Sequence, residues 1–586
     1  MSKLRFVFVS LCIIFQLAYC TTQDETLIEV IKKSGDLRIL EIIPDSLIQA
    51  GQEIAYLLDN PQQSDSFCEA CEQIFGDIID HRRNGTSRDD MIVYLNKLCL
   101  TYTNQGSTAC KGFINIEIDA ILYIIDHKEN LTSTRFCGTR FQHYHCVDPQ
   151  ANAWTIPLPP LPETPQRSTV KDDSTDLKIL HITDVHYDPL YTSGSDAKCS
   201  EPLCCDGGTP ANPEDAAGYW GDYRVCDTPL HSIKDLLSRV KENHQDIDMV
   251  YFTGDIVSHR SWETSKESNI EAITLFLQLL AEAFPNTTVY PVLGNHEAHP
   301  YDYYAPTEVS DNVSSQWVLD LVSDEWSRWL PNTTQSTIKQ GGFYTVLVKP
   351  GFRIVTINSN VCYLGNLWLS YDDVDPYGQL SWLVEVLYEA EKNGEKVHLL
   401  SHIPQGETTC HRQWGNQLKQ IILRFSQTIV SEFNGHIHAD EFRLFINNNS
   451  EAVHVAYNGA SFTTFVGVNP NYRIYEVDSR ELVVSDFHQY IYNLTEANEN
   501  SQVSPRWFEL YSFKEKYELE DLSLPNLKGL YDRLTLNNSD NALVEEYYKL
   551  RGREGDSYLA GTCDSSCKKT LICQITAVEA SESLNC

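Results

Sequence analysis

The sequence predicts a multi-domain protein of mixed α and β structure: a cysteine-stapled helical unit, an α/β core and a helical C-terminal region. Three observations carry this reading. Apolar residues recur at helical spacing among six cysteines between 66 and 148. From about 175 onward, short β-rich runs alternate with helical stretches. Five short clusters of Gly, Asp, Asn and His follow those β-rich runs in order along the chain.

The length of 586 residues leaves room for several domains, each with its own core. Eighty-one acidic against 45 basic side chains give a formal net charge of -36. A field of that sign opposes a polyanion, so no nucleic-acid partner is expected. Eighteen cysteines suit an oxidising compartment.

The chain begins with a short basic region, Lys3 and Arg5, then an apolar run over 6–17, then small Ala18 and Cys20. Residues 1–20 read as a secretory signal peptide, too short to span a membrane. No later run reaches about 18 consecutive apolar residues, so no transmembrane segment is expected. The expected location is secreted, extracellular or lysosomal. Residues 21–65 look helical and amphipathic in part. Without Cys12 and Cys20, sixteen cysteines remain, an even number compatible with eight bridges. Eight Asn-x-Ser/Thr sequons, at Asn84, Asn130, Asn286, Asn312, Asn332, Asn448, Asn493 and Asn537, are glycan candidates in a secreted chain.

Residues 66–148 hold Cys68, Cys71, Cys99, Cys110, Cys137 and Cys146, with helical periodicity over 71–79, 91–98 and 116–125. A C-x-x-C pair could signal zinc or redox chemistry, but the oxidising context favours structural disulfides. Two cysteines on a first helix, two on a central hairpin and two at the end resemble a saposin B-type domain. That resemblance implies the pairs Cys68–Cys146, Cys71–Cys137 and Cys99–Cys110, and a helical leaflet that opens an apolar face to lipid. A stapled bundle with no lipid role is the alternative. Residues 149–174, with prolines at 157, 159, 160, 162 and 165, form an extended linker.

The core is assigned to 175–470. Its strand candidates are 177–182, 249–252, 289–293, 352–357, 396–400 and 429–430, and its helices include 271–283 and 379–392. Residues 471–586 read as polar and helical, with four cysteines in the tail.

The chemistry lies in the five clusters: Asp184-Val-His186, Gly254-Asp255, Gly294-Asn295-His296-Glu297, His402, and Gly435-His436-Ile437-His438. Each follows an apolar run, and side chains at strand ends share one crevice in open α/β folds. Singly, a Gly-Asp is a turn and a His after a strand is a packing residue. Together, seven oxygen and nitrogen donors are too many for one tetrahedral ion and suit two ions sharing a carboxylate. Two such ions can hold a phosphoryl group and lower the pKa of a shared water. Gly254, Gly294 and Gly435 would let the backbone turn sharply toward the ions.

This set resembles the calcineurin-like metallophosphoesterases. With the saposin-type unit and the Pro-rich linker, it resembles the acid sphingomyelinase family over nearly the whole chain from 66 to 586. The resemblance implies a two-sheet αββα sandwich between a helical leaflet and a disulfide-stapled helical C-terminal region. It also implies two Zn²⁺ per chain, one held by Asp184, His186, Asp255 and His438. Asp255 would bridge to the second, completed by Asn295, His402 and His436. A bridging hydroxide would be the nucleophile, while His296 and His259 would contact the phosphate and protonate the leaving oxygen. The further cysteine pairs it implies are Cys199/Cys204, Cys205/Cys226, Cys362/Cys410, Cys563/Cys567 and Cys573/Cys586.

Purple acid phosphatases share that fold but place a metal-binding Tyr three residues after the bridging Asp; here the residue is Ser258. The donor set fits zinc best, with manganese the alternative. The expected reaction is hydrolysis of sphingomyelin to ceramide and phosphocholine, with the leaflet touching sphingomyelin-containing membranes peripherally. The alternatives are a phosphodiesterase for soluble nucleotides or other diesters, and a non-catalytic lipid-binding protein.

Overall fold

The computed structural model describes residues 64–102, 106–151, 153–162, 175–309, 311–465, 467–536 and 542–586. The signal-peptide reading, residues 21–63 and the sequon at Asn537 lie outside them. Among the described residues, no helix is long and apolar enough to cross a membrane.

Four helices open the described chain: α1 (Ser64–Arg83), α2 (Arg88–Tyr102), α3 (Ser107–His127) and α4 (Ser133–Arg140). Their apolar stripes bury Ile74 and Ile78 of α1, Leu95 and Leu98 of α2, and Ile114, Ile118 and Ile121 of α3. Thr132 caps α4 by accepting from the Arg135 N–H. Disulfides Cys68–Cys146 and Cys71–Cys137 staple the two ends of the unit together, and Cys99–Cys110 joins α2 to α3. This core does not close on itself. It continues into Trp262, Tyr301, Tyr303, Trp368 and Phe465, which belong to the following α/β core. Arg135 of α4 fixes the junction by donating to Ser370 O at 3.0 Å and to Asp373 Oδ1 at 2.9 Å.

Residues 153–162 of the linker lie against the helix Arg412–Arg424. Arg424 donates to Pro159 O and Pro160 O, both at 2.7 Å. Prolines cannot donate from their own nitrogens, but their carbonyls serve here as acceptors.

The core is two six-stranded sheets. The first contains β1 (Leu177–Ile182), β2 (Met249–Phe252), β3 (Thr288–Pro291), β10 (Asn471–Val477), β11 (Val484–Ile491) and β12 (Phe508–Ser512), in the order 12-11-10-1-2-3. The second contains β4 (Tyr344–Lys349), β5 (Phe352–Thr356), β6 (Lys396–Leu400), β7 (Ile429–Asn434), β8 (Asp440–Ile446) and β9 (Ala452–Gly459), in the order 4-5-6-7-9-8. Strands β1, β2 and β3 run parallel, as do β5, β6, β7 and β9. One hydrophobic core passes through both sheets and their helices, from Ile179 and Val250 to Leu399 and Phe433. This is the layered sandwich that the sequence predicts.

One boundary needs correction. The segment from 471, read as the start of a helical region, opens with β10, β11 and β12, which complete the first sheet. Its aromatic residues face the core: Tyr472, Tyr475, Phe487 and Tyr511 are buried. Aromatic residues favour strands. Helices follow at Leu524–Thr535, Ala542–Arg551 and Ser565–Thr576, with Cys563–Cys567 and Cys573–Cys586 stapling the tail. The core itself carries Cys199–Cys204, Cys205–Cys226 and Cys362–Cys410.

Of the described sequons, Asn84, Asn130, Asn286, Asn312, Asn332 and Asn448 are exposed. Asn493 is half-buried, and its side chain accepts from Glu496 N at 2.8 Å as the cap of the helix Leu494–Glu499.

Candidate metal centre

Parallel strands from both sheets end at one crevice. Asp184 and His186 follow β1, Asp255 follows β2, and Asn295 and His296 follow β3. From the second sheet, His402 follows β6 while His436 and His438 occupy the turn between β7 and β8. All seven donors converge, and all but the half-buried His436 are buried.

The donors fall into two groups that share Asp255. In the first, His186 Nε2 lies 3.1 Å from His438 Nε2 and 3.4 Å from Asp255 Oδ2, and His438 Nε2 lies 3.4 Å from Asp184 Oδ1. In the second, His402 Nε2 lies 3.2 Å from Asp255 Oδ2 and 3.0 Å from Asn295 Oδ1, which is 3.1 Å from His436 Nδ1.

The tautomers decide what these short separations mean. His186 Nδ1 faces Val257 O at 2.8 Å and His402 Nδ1 faces Thr253 O at 2.6 Å. A carbonyl only accepts, so each Nδ1 carries a proton and each ring turns Nε2 inward, where the neutral form offers a lone pair. In that form lone pairs face carboxylate and amide oxygens, an arrangement that a cation resolves. Donor atoms about 3.0–3.4 Å apart are what bonds of roughly 2.0–2.2 Å around one ion produce. The residues present therefore fit a pair of divalent ions.

Burial keeps His186 and His436 neutral; at His402 burial is overcome by the Asp255 charge, which raises the ring to about 9, and a bound cation would displace that proton. Burial holds His186 well below the usual histidine range, helped by neighbouring His259, and pulls His436 down to about 3, helped by His402. Burial works against ionisation of Asp255, but the His402 charge outweighs it and keeps the carboxyl well below its ordinary range. Burial also pulls His296 down to about 4. A protonated His296 therefore needs a nearby anion such as a phosphate to sustain it.

The backbone is strained where the donors attach. Asp184, His186, Asp255, His436 and His438 all have left-handed φ values between 43° and 71°. Such residues are uncommon outside glycine and cluster at functional sites. Of the three glycines that precede donors, only Gly254 turns left-handed, at φ 96°. Gly294 and Gly435 serve proximity instead. A Cβ at 294 would overlap Asp255 Oδ1, and one at 435 would come within 2.6 Å of Asp184 Oδ2.

Supporting residues to which the sequence assigned no role surround the donors. Glu297 ties two donor loops together by accepting from Gly294 N and Ile256 N, each at 2.5 Å. Burial, then the Asp255 charge, push its carboxyl up to about 7. Asp302 accepts from Asn295 Nδ2 at 2.8 Å, which turns the amide oxygen toward the histidines. Asp227 receives His259. Glu297 sat inside a recognised cluster, so its position was a signal; Asp227 and Asp302 lie in loops without one.

His259 and His296 border the centre. The His259 ring stacks on His186 at 3.9 Å and on Phe465 at 4.2 Å. His296 N donates to Asp255 Oδ1 at 2.9 Å, and its ring meets His186 edge-on at 4.8 Å. With its Nδ1 2.9 Å from Asp227 Oδ1, His259 keeps Nε2 as the nitrogen available to a ligand.

Comparison with known proteins agrees with this architecture. Residues 177–440 match the family Calcineurin-like phosphoesterase, and residues 447–586 match Acid sphingomyelin phosphodiesterase C-terminal region. A sphingomyelin phosphodiesterase of Bos taurus is 32% identical over 555 residues, covering 91% of this chain and 87% of that protein. Sphingomyelin phosphodiesterase 1 of Caenorhabditis elegans is 31% identical, covering 83% and 87%. The Homo sapiens sphingomyelin phosphodiesterase is 34% identical, covering 72% and 68%. The fold of such phosphoesterases implies a dinuclear metal site, and the donors described here are the candidates for it. On sequence and fold together, the chain belongs to the sphingomyelin phosphodiesterase family of calcineurin-like phosphoesterases, a family of phosphoric diester hydrolases.

Proposed function

We propose that this protein is a zinc-dependent phosphodiesterase that hydrolyses sphingomyelin to ceramide and phosphocholine. Asp184, His186, Asp255 and His438 would hold one zinc ion; Asp255, Asn295, His402 and His436 would hold the second. Bound there, the two ions would neutralise phosphoryl charge and acidify a water to the point where it is a nucleophile near neutral pH. The observation that carries the reading is the pair of donor groups sharing Asp255, each with a histidine whose Nδ1 faces a carbonyl and whose Nε2 turns inward.

The chain's own residues do the rest. His259, oriented by Asp227, and His296 beside it border the phosphate position and would pass a proton to the departing ceramide oxygen. Phe465 and His186 clamp the His259 ring from both faces, so the proton donor cannot swing away. Zinc is favoured because four of the seven donors are imidazoles, and because Ser258, not Tyr, stands three residues after Asp255.

Residues 66–148 act as a saposin-type domain that meets the bilayer. Val93 and Leu100 of α2 are 54% and 49% exposed and seven residues apart, so they lie on one side of the helix. An apolar pair of this kind on an amphipathic helix suits the headgroup boundary. Residues 149–174 are the linker, and 175 to about 512 carry the catalytic sandwich. Eight disulfides suit a secreted or lysosomal setting.

The test gives the purified full-length chain, loaded with zinc, sphingomyelin vesicles and ATP in parallel. Release of phosphocholine from vesicles is the expected result. Turnover of ATP alone would replace this reading with a soluble-diester enzyme, and turnover of neither with a lipid-binding protein.

A further inference from the structure

Residues 551–555 read Arg-Gly-Arg-Glu-Gly and turn the chain sharply after the helix Ala542–Arg551. The two arginines do different things. Arg551 pairs with Glu441 of β8 at 2.8 Å. Arg553 is completely buried, in a left-handed conformation with φ 51°.

The Arg553 guanidinium reaches three acceptors. Nη1 donates to His438 O at 2.8 Å, Nη2 to Ser461 Oγ at 3.0 Å and Nε to Asn469 O at 2.6 Å. Asn469 Nδ2 returns a bond to Arg553 O at 3.0 Å. The turn is seated tightly, since a Cβ at Gly555 would overlap Gly467 O.

Both segments under this clamp belong to the metal centre's surroundings. His438 is a donor whose own backbone is left-handed at φ 51°. Residues 461–465 back the other side: Thr463 N donates to Asp184 O at 2.9 Å, Thr463 Oγ1 donates to Asp227 Oδ1 at 3.2 Å, and Phe465 stacks on His259. One planar cation with donors in fixed directions thus joins the His438 loop to the wall behind His259. A lysine could not span the same three acceptors.

We propose that Arg553 is a positioning residue through which the C-terminal region sets the backbone of the His438 donor loop and the wall that orients His259. The proposal rests on the dinuclear reading of the centre. It gives the C-terminal region a part in the site, although none of the seven donors comes from it.

The experiment uses full-length wild type, Arg553→Lys and Arg551→Lys, stripped by chelation and titrated with cobalt(II). Binding stoichiometry, affinity and visible absorption are recorded, then kcat and KM on a soluble phosphodiester at saturating metal. The expected result is two ions in wild type and in Arg551→Lys with the same spectrum. In Arg553→Lys, one ion should bind about tenfold or more weakly, with an altered spectrum, as loss of an outer-shell partner does elsewhere. Its kcat should fall at least about tenfold, with KM within about twofold. A folded Arg553→Lys with wild-type affinities, spectrum and kcat would overturn the proposal while leaving the dinuclear reading intact. A wild type that binds no ion would overturn both. If Arg553→Lys does not fold, Ser461→Ala decides by removing one leg of the clamp. Weaker binding of one ion by about threefold or more supports the proposal, and unchanged binding overturns it.

Discussion

Asp227 receives both nitrogens of one residue: His259 N donates to its Oδ2 at 2.6 Å, and His259 Nδ1 lies 2.9 Å from its Oδ1. The carboxylate is fully buried and takes a third bond from Thr463 Oγ1 at 3.2 Å. A buried carboxylate on Nδ1 fixes the tautomer and steadies the ring when it carries a second proton. Asp227→Asn should therefore lower kcat on sphingomyelin by about 10²-fold, within the usual range for a general acid. A diester with an activated aryl leaving group needs no such proton and should lose much less. Equal losses on both substrates would show that Asp227 acts only on folding or metal binding.

Gly294 cannot carry a side chain. Its Cβ would overlap the carboxylate oxygen of Asp255, the donor common to both groups. Gly294→Ala should leave a folded chain by circular dichroism but reduce bound metal below two ions and turnover by at least about 10²-fold. Metal content by mass spectrometry checks this; a full complement of ions in the variant would contradict it.

Glu117 of α3 is buried and accepts from Tyr303 Oη of the catalytic core at 2.5 Å. Burial pushes its pKa up to about 8, against an ordinary value of 4.5. The folded value lies above the unfolded one, so the protonated form favours the fold. That contribution is complete below about pH 4.5 and disappears as pH rises toward 8. Glu117→Gln keeps the acceptor without the charge. It should raise the unfolding free energy at pH 8 by on the order of 1–3 kcal/mol and leave it nearly unchanged at pH 4.5. Denaturant unfolding at both pH values checks the sign; a variant weaker than wild type at pH 8 would contradict it.

The apolar pair on α2 separates lipid contact from chemistry. Replacing Val93 and Leu100 together by Glu should cut turnover of vesicular sphingomyelin about tenfold or more. The same variant should hydrolyse a soluble diester as wild type does, because both residues are about half exposed and neither is a metal donor. Equal turnover of vesicles by both proteins would move the membrane contact elsewhere.

Much of the core was legible because parallel strands buried on both faces read as continuous apolar runs. Runs 177–182, 249–252 and 396–400 coincide with β1, β2 and β6, and polar donors at their ends stand out against them. Strands β10 to β12 were hidden by their composition, since Arg473, Glu476, Asp486, Gln489 and Glu509 interrupt any apolar signal. Arg473 is nevertheless fully buried, because Asp440, Gln489 and Asn458 O satisfy its guanidinium. The same limit conceals the support of the centre. Asp227 meets a histidine 32 positions away, and Arg553 meets a carbonyl 115 positions away. A donor after a strand leaves a local pattern, whereas a partner brought by tertiary packing leaves none.

The central claim is that two cations sit between the sheets and share Asp255. Elemental analysis of the purified full-length chain, beside its Asp255→Ala variant, tests it most directly. The account predicts two zinc ions per wild-type chain, and in the variant fewer than one ion with sphingomyelin turnover abolished. A wild-type chain without transition metal, or an Asp255→Ala protein that turns over substrate at the wild-type rate, would contradict it.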